Sequence, residues 1–299
     1  MLRKAFLSTC SLLLLSQSFY LCATAQTPIA SIASTVASSD SILQRPNLNL
    51  KQFERNRGTL LLCGGGPIPL AVREEFYDLG KGSEGSLVLI PTASPRSDSG
   101  DYSMWIDYWS GFHWRDVSVL HIKNREGAFE SDLIATLRGA TAVWLSGGEQ
   151  QRLSDRFAGT PVEKELHALI ARGGIVGGTS AGAAIASSTI IADGIVEPRF
   201  ADGLQFLPGT IIDQHFSQRK RQGRLIKAIE KYPDRIGIGI DESTGLIVNK
   251  EESRVVGDGE VYLVNSESIQ NGYGGIRDAY RRLRSGEKLK TMELGGAGN

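Results

Sequence analysis

The stretch Gly174–Ser187, GIVGGTSAGAAIAS, joins a short apolar run to glycines and alanines around one serine. Ile175 and Val176 suit a buried strand, and the small residues after them let the chain turn closely into a helix. A serine in the pattern Gly-x-Ser-x-Gly at such a turn is typical of a nucleophile elbow, which exposes the hydroxyl above a sheet. Close packing of strand on helix would explain the same small residues. Partners elsewhere in the chain must therefore decide what Ser180 does.

The surrounding chain alternates short apolar runs with amphipathic segments, which predicts an α/β fold with a mostly parallel sheet covered on both faces. The predicted strands are Thr59–Cys63, Ser86–Pro91, Val117–Ile122, Ala142–Leu145, Gly174–Gly177 and Ile236–Ile240. The predicted helices are Leu70–Leu79, Tyr102–Phe112, Glu130–Arg138, Val162–Arg172, Ala181–Ser188 and Gln218–Lys231. Turn signals near the C-terminus separate three further runs and predict an antiparallel addition to the sheet; these are Gly245–Asn249, Ser253–Gly257 and Glu260–Asn265.

The N-terminus has the pattern of an export signal. Arg3 and Lys4 precede an apolar stretch that is too short and too interrupted to span a membrane, and Ala23–Ala25 supplies a cleavage site. Residues 1–25 are therefore predicted to be a signal peptide, and residues 26–57, rich in Ser, Ala and Thr, a disordered leader. Residues 58–292 are predicted to form one domain that works in the periplasm or outside the cell.

Composition and residue spacing argue against several classes of partner and cofactor for that domain. The chain has 33 basic and 33 acidic residues, so its net charge does not favour nucleic acid. Signal cleavage would leave Cys63 as the sole cysteine, and no internal disulfide would form. No His or Cys spacing fits a zinc site, and Gly64–Gly66 followed by Pro67 lacks the spacing of a phosphate-binding loop. We therefore predict neither a metal nor a cofactor.

Four motifs follow predicted strands, at the sheet edge where α/β proteins bind ligands: Gly64–Gly66, Gly147–Gln150, Gly178–Gly182 and Asp241–Glu242. A serine nucleophile also needs a general base and an acid that orients it. His215 is the predicted base because polar residues surround it directly after the apolar run Ile211–Ile212. Asp241 or Glu242 would orient it, and the residues alone leave that choice open.

The other three histidines have structural explanations. His113 is expected to pack between aromatic neighbours, His121 to alternate with apolar residues in a strand, and His167 to lie on a solvated helix face.

Two further groups belong to the predicted site. The backbone N–H of Ala181, with that of a glycine from the 147–148 pair, here Gly148, would form an oxyanion hole, and Gln150 would offer an amide to a polar substrate. Cations crowd the segment after His215, including Arg219, Arg221 and Arg224. Such a charge run is usually a solvated face. Because this one begins within a turn of the base, we expect it to bind an anionic substrate.

Ordered motifs over roughly Thr59–Val264 resemble the cyanophycinases and, more distantly, the aspartyl dipeptidases of the same serine-peptidase family. The motifs are IPTAS at 90–94, SGGEQ at 146–150, GGTSAGA at 177–183, DQHFSQRKRQGRL at 213–225 and GIGIDEST at 237–244. The resemblance implies a three-layer α/β/α sandwich like that of glutamine amidotransferases. It also implies a triad of Ser180, His215 and Glu242, with substrate contacts from Gln150, Asp213, Gln214, Arg219, Arg221 and Arg224.

The resemblance to the cyanophycinases implies the substrate cyanophycin, a polyaspartate with an arginine on each side-chain carboxylate, which those enzymes cut to β-Asp-Arg dipeptides. The chain departs from the family in its first loop, Gly64–Pro69, and at Lys220 between two arginines. We therefore predict an exported serine peptidase that binds cyanophycin and acts through an acyl-enzyme, with a homodimer as a candidate assembly. The alternatives are a peptidase of short aspartyl or isoaspartyl peptides and a non-catalytic binding protein.

Overall fold

The computed structural model describes residues 57–271 and 278–294. The predicted signal peptide, nearly all of the predicted leader and the last residues 295–299 lie outside the described residues. No helix in the described ranges is long and apolar enough to cross a bilayer.

The regular structure consists of short strands and short helices. The strands are β1 (Thr59–Cys63), β2 (Ser86–Ile90), β3 (Asp116–Val119), β4 (Ala142–Leu145), β5 (Ile175–Thr179), β6 (Thr189–Asp193), β7 (Arg199–Asp202), β8 (Thr210–Gln214), β9 (Ile236–Ile240), β10 (Thr244–Val248), β11 (Glu252–Gly257), β12 (Val261–Val264), β13 (Arg281–Leu283) and β14 (Lys288–Lys290). The α-helices are α1 (Leu70–Leu79), α2 (Ser103–Trp109), α3 (Ser131–Gly139), α4 (Gln150–Phe157), α5 (Pro161–Ala171), α6 (Ala181–Ala184), α7 (Gln222–Lys231) and α8 (Ser266–Asn271).

The main sheet has eight strands in the order β14-β11-β10-β1-β5-β4-β2-β3. The strands from β1 to β3 in that order pair in parallel. The strands β10, β11 and β14 extend the sheet in antiparallel fashion. The predicted fold class, a mostly parallel sheet with antiparallel strands near the C-terminus, is confirmed.

Helices cover both faces of this sheet, because alternate residues of a strand point to opposite sides. Leu61 and Cys63 of β1 pack into a cluster with Phe76 of α1 and Trp109 of α2. The intervening residues of β1 pack on the other face, against apolar side chains of α3, α4, α5 and α6. The three layers are therefore helices, sheet and helices.

A second sheet corrects one expectation. It has the order β13-β12-β9-β8 and carries α7 on one face. The predicted strand Ile236–Ile240 and the run Glu260–Asn265 thus belong to this sheet and not to the main one. A fully buried apolar strand fits the middle of either sheet, so its sequence cannot specify its neighbours. Gly237 and Gly239 face α7 and its loop, where a Cβ atom would lie 2.6 Å from Val264 and 2.5 Å from the Phe216 ring.

Smaller differences concern element ends and one helix. The predicted helix Ala181–Ser188 stops at Ala184, and β3 ends at Val119, before Ile122. Helix α4 was not predicted, because its sequence is mostly polar. Its buried apolar side is provided by Leu153 and Phe157, which are four residues apart and share one helix face.

Candidate active site

The loop Gly64–Gly66 after β1 connects the segments that carry the candidate catalytic residues. The backbone N–H of Ser180 donates to Cys63 O at 2.9 Å, and that of His215 donates to Gly64 O at 2.7 Å. The N–H of Ser243, next to Glu242, donates to Gly65 O at 2.9 Å. One loop of the main sheet thereby fixes the backbone beside all three members of the predicted triad.

Ser180 lies at the sharp turn between β5 and α6. Its backbone has φ 52° and ψ −113°, a combination that side chains with a Cβ rarely adopt and that costs about 1–3 kcal/mol. The neighbouring glycines allow the turn: a Cβ on Gly178 would lie 2.4 Å from Gly182 O, and a Cβ on Gly182 would lie 2.1 Å from Leu145 O. The small residues therefore serve close packing, and the same packing presents the Ser180 side chain at the strand end.

Ser180, His215 and Glu242 form one hydrogen-bonded chain. His215 Nε2 lies 2.9 Å from Ser180 Oγ, and His215 Nδ1 lies 2.5 Å from Glu242 Oε1. A carboxylate on Nδ1 keeps the proton on that nitrogen and leaves Nε2 free to accept a proton from the serine. The geometry is that of a serine nucleophile with a base and an orienting acid.

The environment of His215 favours its neutral form. Burial is the main cause that lowers the pKa of His215 below its ordinary value, and the charges of Arg219 and Arg221 lower it further. The hydrogen bond and charge of Glu242 act in the opposite direction. The net lowering keeps the imidazole unprotonated near neutral pH, as a general base must be.

Asp241, the alternative acid, has a different place. Its carboxylate accepts hydrogen bonds from the N–H of Ser217 at 2.9 Å and from the N–H of Glu260 at 3.3 Å. It is buried and ties the loop after His215 to β12. Of the two acids, Glu242 contacts the imidazole and Asp241 holds the loop behind it. The role of Glu242 as the orienting acid stays a prediction.

The predicted oxyanion donors lie beside the serine. Ala181 is the first residue of α6, and the N–H groups of a first helical turn have no partner within the helix. Gly147 is close, since a Cβ on it would lie 3.3 Å from Ser180 Cβ. Gly148 packs on the backbone of Ala93, where a Cβ would lie 2.3 Å from the Ala93 carbonyl oxygen. The role of Ala181 and Gly148 as oxyanion donors stays a prediction.

The predicted substrate-binding arginines divide into buried and exposed groups. Arg224 is 7% exposed and pairs through two nitrogens with Asp213, which is 1% exposed. Arg221 donates to Asp213 Oδ1 at 2.9 Å, and burial lowers its pKa. Arg219 is exposed, and among the described residues it has no ion-pair partner. Arg219 is thus the arginine of this group that is free to meet a substrate.

Two glutamines continue this network towards the hairpin β6–β7. Arg221 also donates to Gln214, whose Nε2 donates to Gln150 Oε1 at 3.0 Å. Gln150 Nε2 in turn donates to Ile191 O. Both amides are buried. The predicted substrate contacts of Gln150, Gln214, Asp213 and Arg224 stay predictions, because their polar groups bind one another here.

The other histidines lie apart from this chain of contacts. His121 lies beyond the end of β3, with Nε2 3.0 Å from Asp98 and Nδ1 3.3 Å from Thr92. His167 was expected on a solvated face, which is wrong: it is half-buried, and Nε2 lies 2.7 Å from Leu204 O. The segment around residue 204 covers α5, and sequence periodicity could not show that.

The loop Gly64–Gly66 was predicted to lie at the ligand-binding edge of the sheet and was rejected only as a phosphate loop. The sequence did not show that its backbone contacts the segments that carry Ser180, His215 and Glu242. Its position after a predicted strand was the available signal, because that edge also carries Ser180 and the acids. Glycine is required there since a Cβ on Gly66 would lie 2.9 Å from Glu242 Oε2.

Comparison with known proteins identifies the family of the chain. The profile of peptidase family S51 matches residues 60–256, which include the serine, the histidine and the acids described above. The chain belongs to peptidase family S51. As an S51 peptidase it is a serine-type hydrolase, and the predicted family and enzyme class are confirmed.

Similar characterised proteins support the same family. This S51 peptidase is 31% identical over 234 residues to a cyanophycinase of Geminocystis herdmanii, covering 74% of this chain and 84% of that protein. It is 33% identical over 244 residues to a cyanophycinase of Trichormus variabilis, covering 76% and 80% of the two chains.

A solved structure supports the fold. The crystal structure of a peptidase from an acI-B1 Actinobacterium has a TM-score of 0.61 at 22% identity. The match covers 79% of this S51 peptidase and 98% of the other chain.

Proposed function

We propose that this S51 peptidase hydrolyses peptide bonds on the carbonyl side of aspartyl residues, with Ser180 as nucleophile, His215 as base and Glu242 as orienting acid. The observation that carries the proposal is the pair of contacts at His215, 2.9 Å to Ser180 Oγ and 2.5 Å to Glu242 Oε1. The lowered pKa of His215 supports its role as the base.

The reaction proceeds in two steps. Ser180 Oγ bonds to the aspartyl carbonyl carbon while its proton moves to His215 Nε2, and the N–H groups of Ala181 and the Gly147–Gly148 pair stabilise the oxyanion. The C–N bond breaks as His215 returns that proton to the leaving amine. Water then attacks the acyl-enzyme with His215 as base, which releases the acid and restores Ser180.

The leading substrate is cyanophycin, cut to β-Asp-Arg dipeptides. The curated relatives reported above are cyanophycinases, and they align over about three quarters of the chain. Arg219 is exposed beside His215, where a guanidinium suits the carboxylates of a polyaspartyl chain. Arg221, held by Asp213 and Gln214, supports this basic segment from beneath.

A second candidate function is hydrolysis of short aspartyl peptides. A cavity next to Ser180 favours it, because the lining of that cavity is apolar and carries no charged group that would match the arginines of cyanophycin.

We also propose that the protein is exported through residues 1–25. Arg3, Lys4 and the apolar stretch that ends before Ala23–Ala25 support this proposal. Fractionation of cells expressing the full chain tests it: the mature form should leave the cytoplasm, and replacing Leu12–Leu15 with serine should retain the precursor inside.

The first experiment incubates purified mature protein with insoluble cyanophycin and analyses the supernatant by mass spectrometry. Release of β-Asp-Arg is expected, with no release by Ser180→Ala and normal release by Ser285→Ala, which changes an exposed serine in the β13–β14 turn. No release, with Ser180 still labelled by a fluorophosphonate, would exclude cyanophycin and leave the second candidate. No labelling would overturn the mechanism itself.

A further inference from the structure

A cavity of about 210 Å³ borders the candidate nucleophile. Gly147 and Thr179 line it, and both are next to Ser180: Thr179 precedes it in sequence, and a Cβ on Gly147 would lie 3.3 Å from Ser180 Cβ. Sites for drug-sized ligands begin at about 300 Å³, so this cavity has the size for part of a substrate. We call it the aromatic pocket.

The walls of the aromatic pocket are apolar rings and aliphatic groups. Trp105, Tyr108 and Trp109 of α2 line it, together with Trp144 of β4 and Ile68, which follows the loop Gly64–Gly66. Trp109 and Trp144 are buried, with ring centroids 5.1 Å apart. Trp105 is only partly buried, so its ring is accessible at the rim.

The charge around the aromatic pocket disfavours a cation. None of the lining side chains is an acid or a base. The guanidinium of Arg73 already lies 4.8 Å from the centre of the Tyr108 ring and donates to Tyr108 O at 3.1 Å. An arginine or lysine that entered could stack on the aromatic rings, but it would lose water, meet no carboxylate on the walls and approach the guanidinium of Arg73.

The basic groups of the site are attached elsewhere. Arg219 and Arg221 follow His215, and no residue of this basic segment lines the aromatic pocket. Ser180 therefore lies close to two chemically different regions: a basic segment after His215 that suits a carboxylate, and an aromatic pocket, lined by its neighbours Gly147 and Thr179, that suits an uncharged group.

We propose that the aromatic pocket is a specificity pocket that binds an uncharged apolar or aromatic side chain, carried by the residue whose amine leaves the aspartyl carbonyl. This inference rests on the aspartyl-peptidase activity proposed above and names the substrate class for its second candidate. Trp105 determines the preference, since its ring lines the pocket, is partly exposed and offers a flat apolar face to the side chain.

The test is hydrolysis of a series Asp-X, in α- and β-linked forms, with X as Phe, Leu, Ala or Arg, beside cyanophycin. We expect kcat/KM to be about tenfold to a hundredfold higher for Phe and Leu than for Ala and Arg, the scale on which a hydrophobic pocket discriminates. Trp105→Ala should reduce the values for Phe and Leu to that for Ala.

Matched variants separate this role from a general effect on folding. Ile106→Ala changes the next residue of α2, which is exposed and outside the pocket lining, and should leave the series unchanged. Trp105→Glu supplies the missing carboxylate and should raise the value for Arg above that for Phe.

The outcomes distinguish the two proposals. Hydrolysis of the whole series with equal values, or an Arg preference that Trp105→Ala abolishes, would overturn the specificity pocket and leave the aspartyl-peptidase activity standing. Failure to hydrolyse any Asp-X peptide or cyanophycin would overturn the activity, and the pocket assignment with it.

Discussion

Gly65 lies directly against the imidazole of His215. A Cβ atom on Gly65 would lie 2.3 Å from His215 Cε1 and 2.5 Å from Nε2, the nitrogen that contacts Ser180. The φ angle of Gly65 is 105°, which also favours glycine. The loop that holds the triad therefore leaves no room for a methyl group beside the base.

Gly65→Ala should displace the imidazole and lower kcat by at least about 10², since a misplacement near 1 Å can cost that much. The control is Gly286→Ala, which has φ 84° and open space around the added methyl group, so that it shares the backbone cost without the contact. Equal kcat for the two variants would mean that the contact with His215 is unimportant.

Replacement of Ser180 separates its catalytic role from its backbone strain. Ser180→Ala and Ser180→Gly should both lose turnover by several orders of magnitude, because each lacks the nucleophile. Only glycine relaxes the backbone at φ 52° and ψ −113°, so Ser180→Gly should be more stable than Ser180→Ala by about 1 kcal/mol. Thermal unfolding of the two variants measures this difference, and a lower melting temperature for the glycine variant would contradict the strain.

The acid limb of the pH profile should report His215. Its pKa is lowered below the ordinary 6.5, chiefly by burial, so activity should persist until the pH falls below that value. Arg219→Gln removes a positive charge that lowers this pKa, and the acid limb should move to higher pH. Profiles of kcat/KM for wild type, Arg219→Gln and the distant control Lys250→Gln test the sign. A shift to lower pH would show that Arg219 does not act on His215.

Replacement of the adjacent acids Asp241 and Glu242 should affect stability in one case and activity in the other. Glu242→Gln removes the carboxylate on His215 Nδ1 and should lower kcat by about 10³–10⁴ while the fold persists. Asp241→Ala leaves the N–H groups of Ser217 and Glu260 without their acceptor and should cost about 1–3 kcal/mol of stability. Activity and denaturation are measured for both variants, with the exposed Glu251→Gln as control. A mainly destabilising effect of Glu242→Gln, or a mainly catalytic effect of Asp241→Ala, would contradict this assignment.

Replacement of Arg224 should lower stability, whereas replacement of Arg219 should weaken substrate binding. Arg224→Met leaves the buried Asp213 carboxylate with fewer partners and should destabilise the protein by about 3 kcal/mol. Arg219 is exposed, so Arg219→Gln should leave the melting temperature unchanged while it weakens substrate binding. Thermal unfolding of the two variants measures this difference, and an unchanged melting temperature for Arg224→Met would argue against a structural role for its pair with Asp213.

Sequence patterns predicted the parts of the fold that local chemistry determines. A run of aliphatic residues identifies the strand Thr59–Cys63, and small residues at a turn identify the elbow at Ser180. The second sheet could not be predicted, because Ile236–Ile240 is as apolar as a central strand of the main sheet. Helix α4 is too polar to stand out, and its burial depends on partners distant in sequence.

The candidate site was predictable to the extent that each residue follows a strand. His215 and the two acids could be placed at strand ends, but their separation in space depends on how the loops cross. The structure alone shows that Asp241 turns towards Ser217, that Arg224 is occupied by Asp213, and that Trp105 borders a pocket. Such pairings are set by tertiary packing, which leaves no periodic signal in the chain.

The main sheet carries Ser180 at the end of β5, whereas His215 and Glu242 follow β8 and β9 of the second sheet. In the proposed mechanism, Ser180 gains its base only when the two sheets have docked at the loop Gly64–Gly66. A half-folded molecule with the sheets apart would lack the contact between Ser180 and His215. Turnover would then report whether both sheets are folded and docked. In a denaturant titration, activity should be lost at the first transition that separates the sheets, even if secondary structure remains.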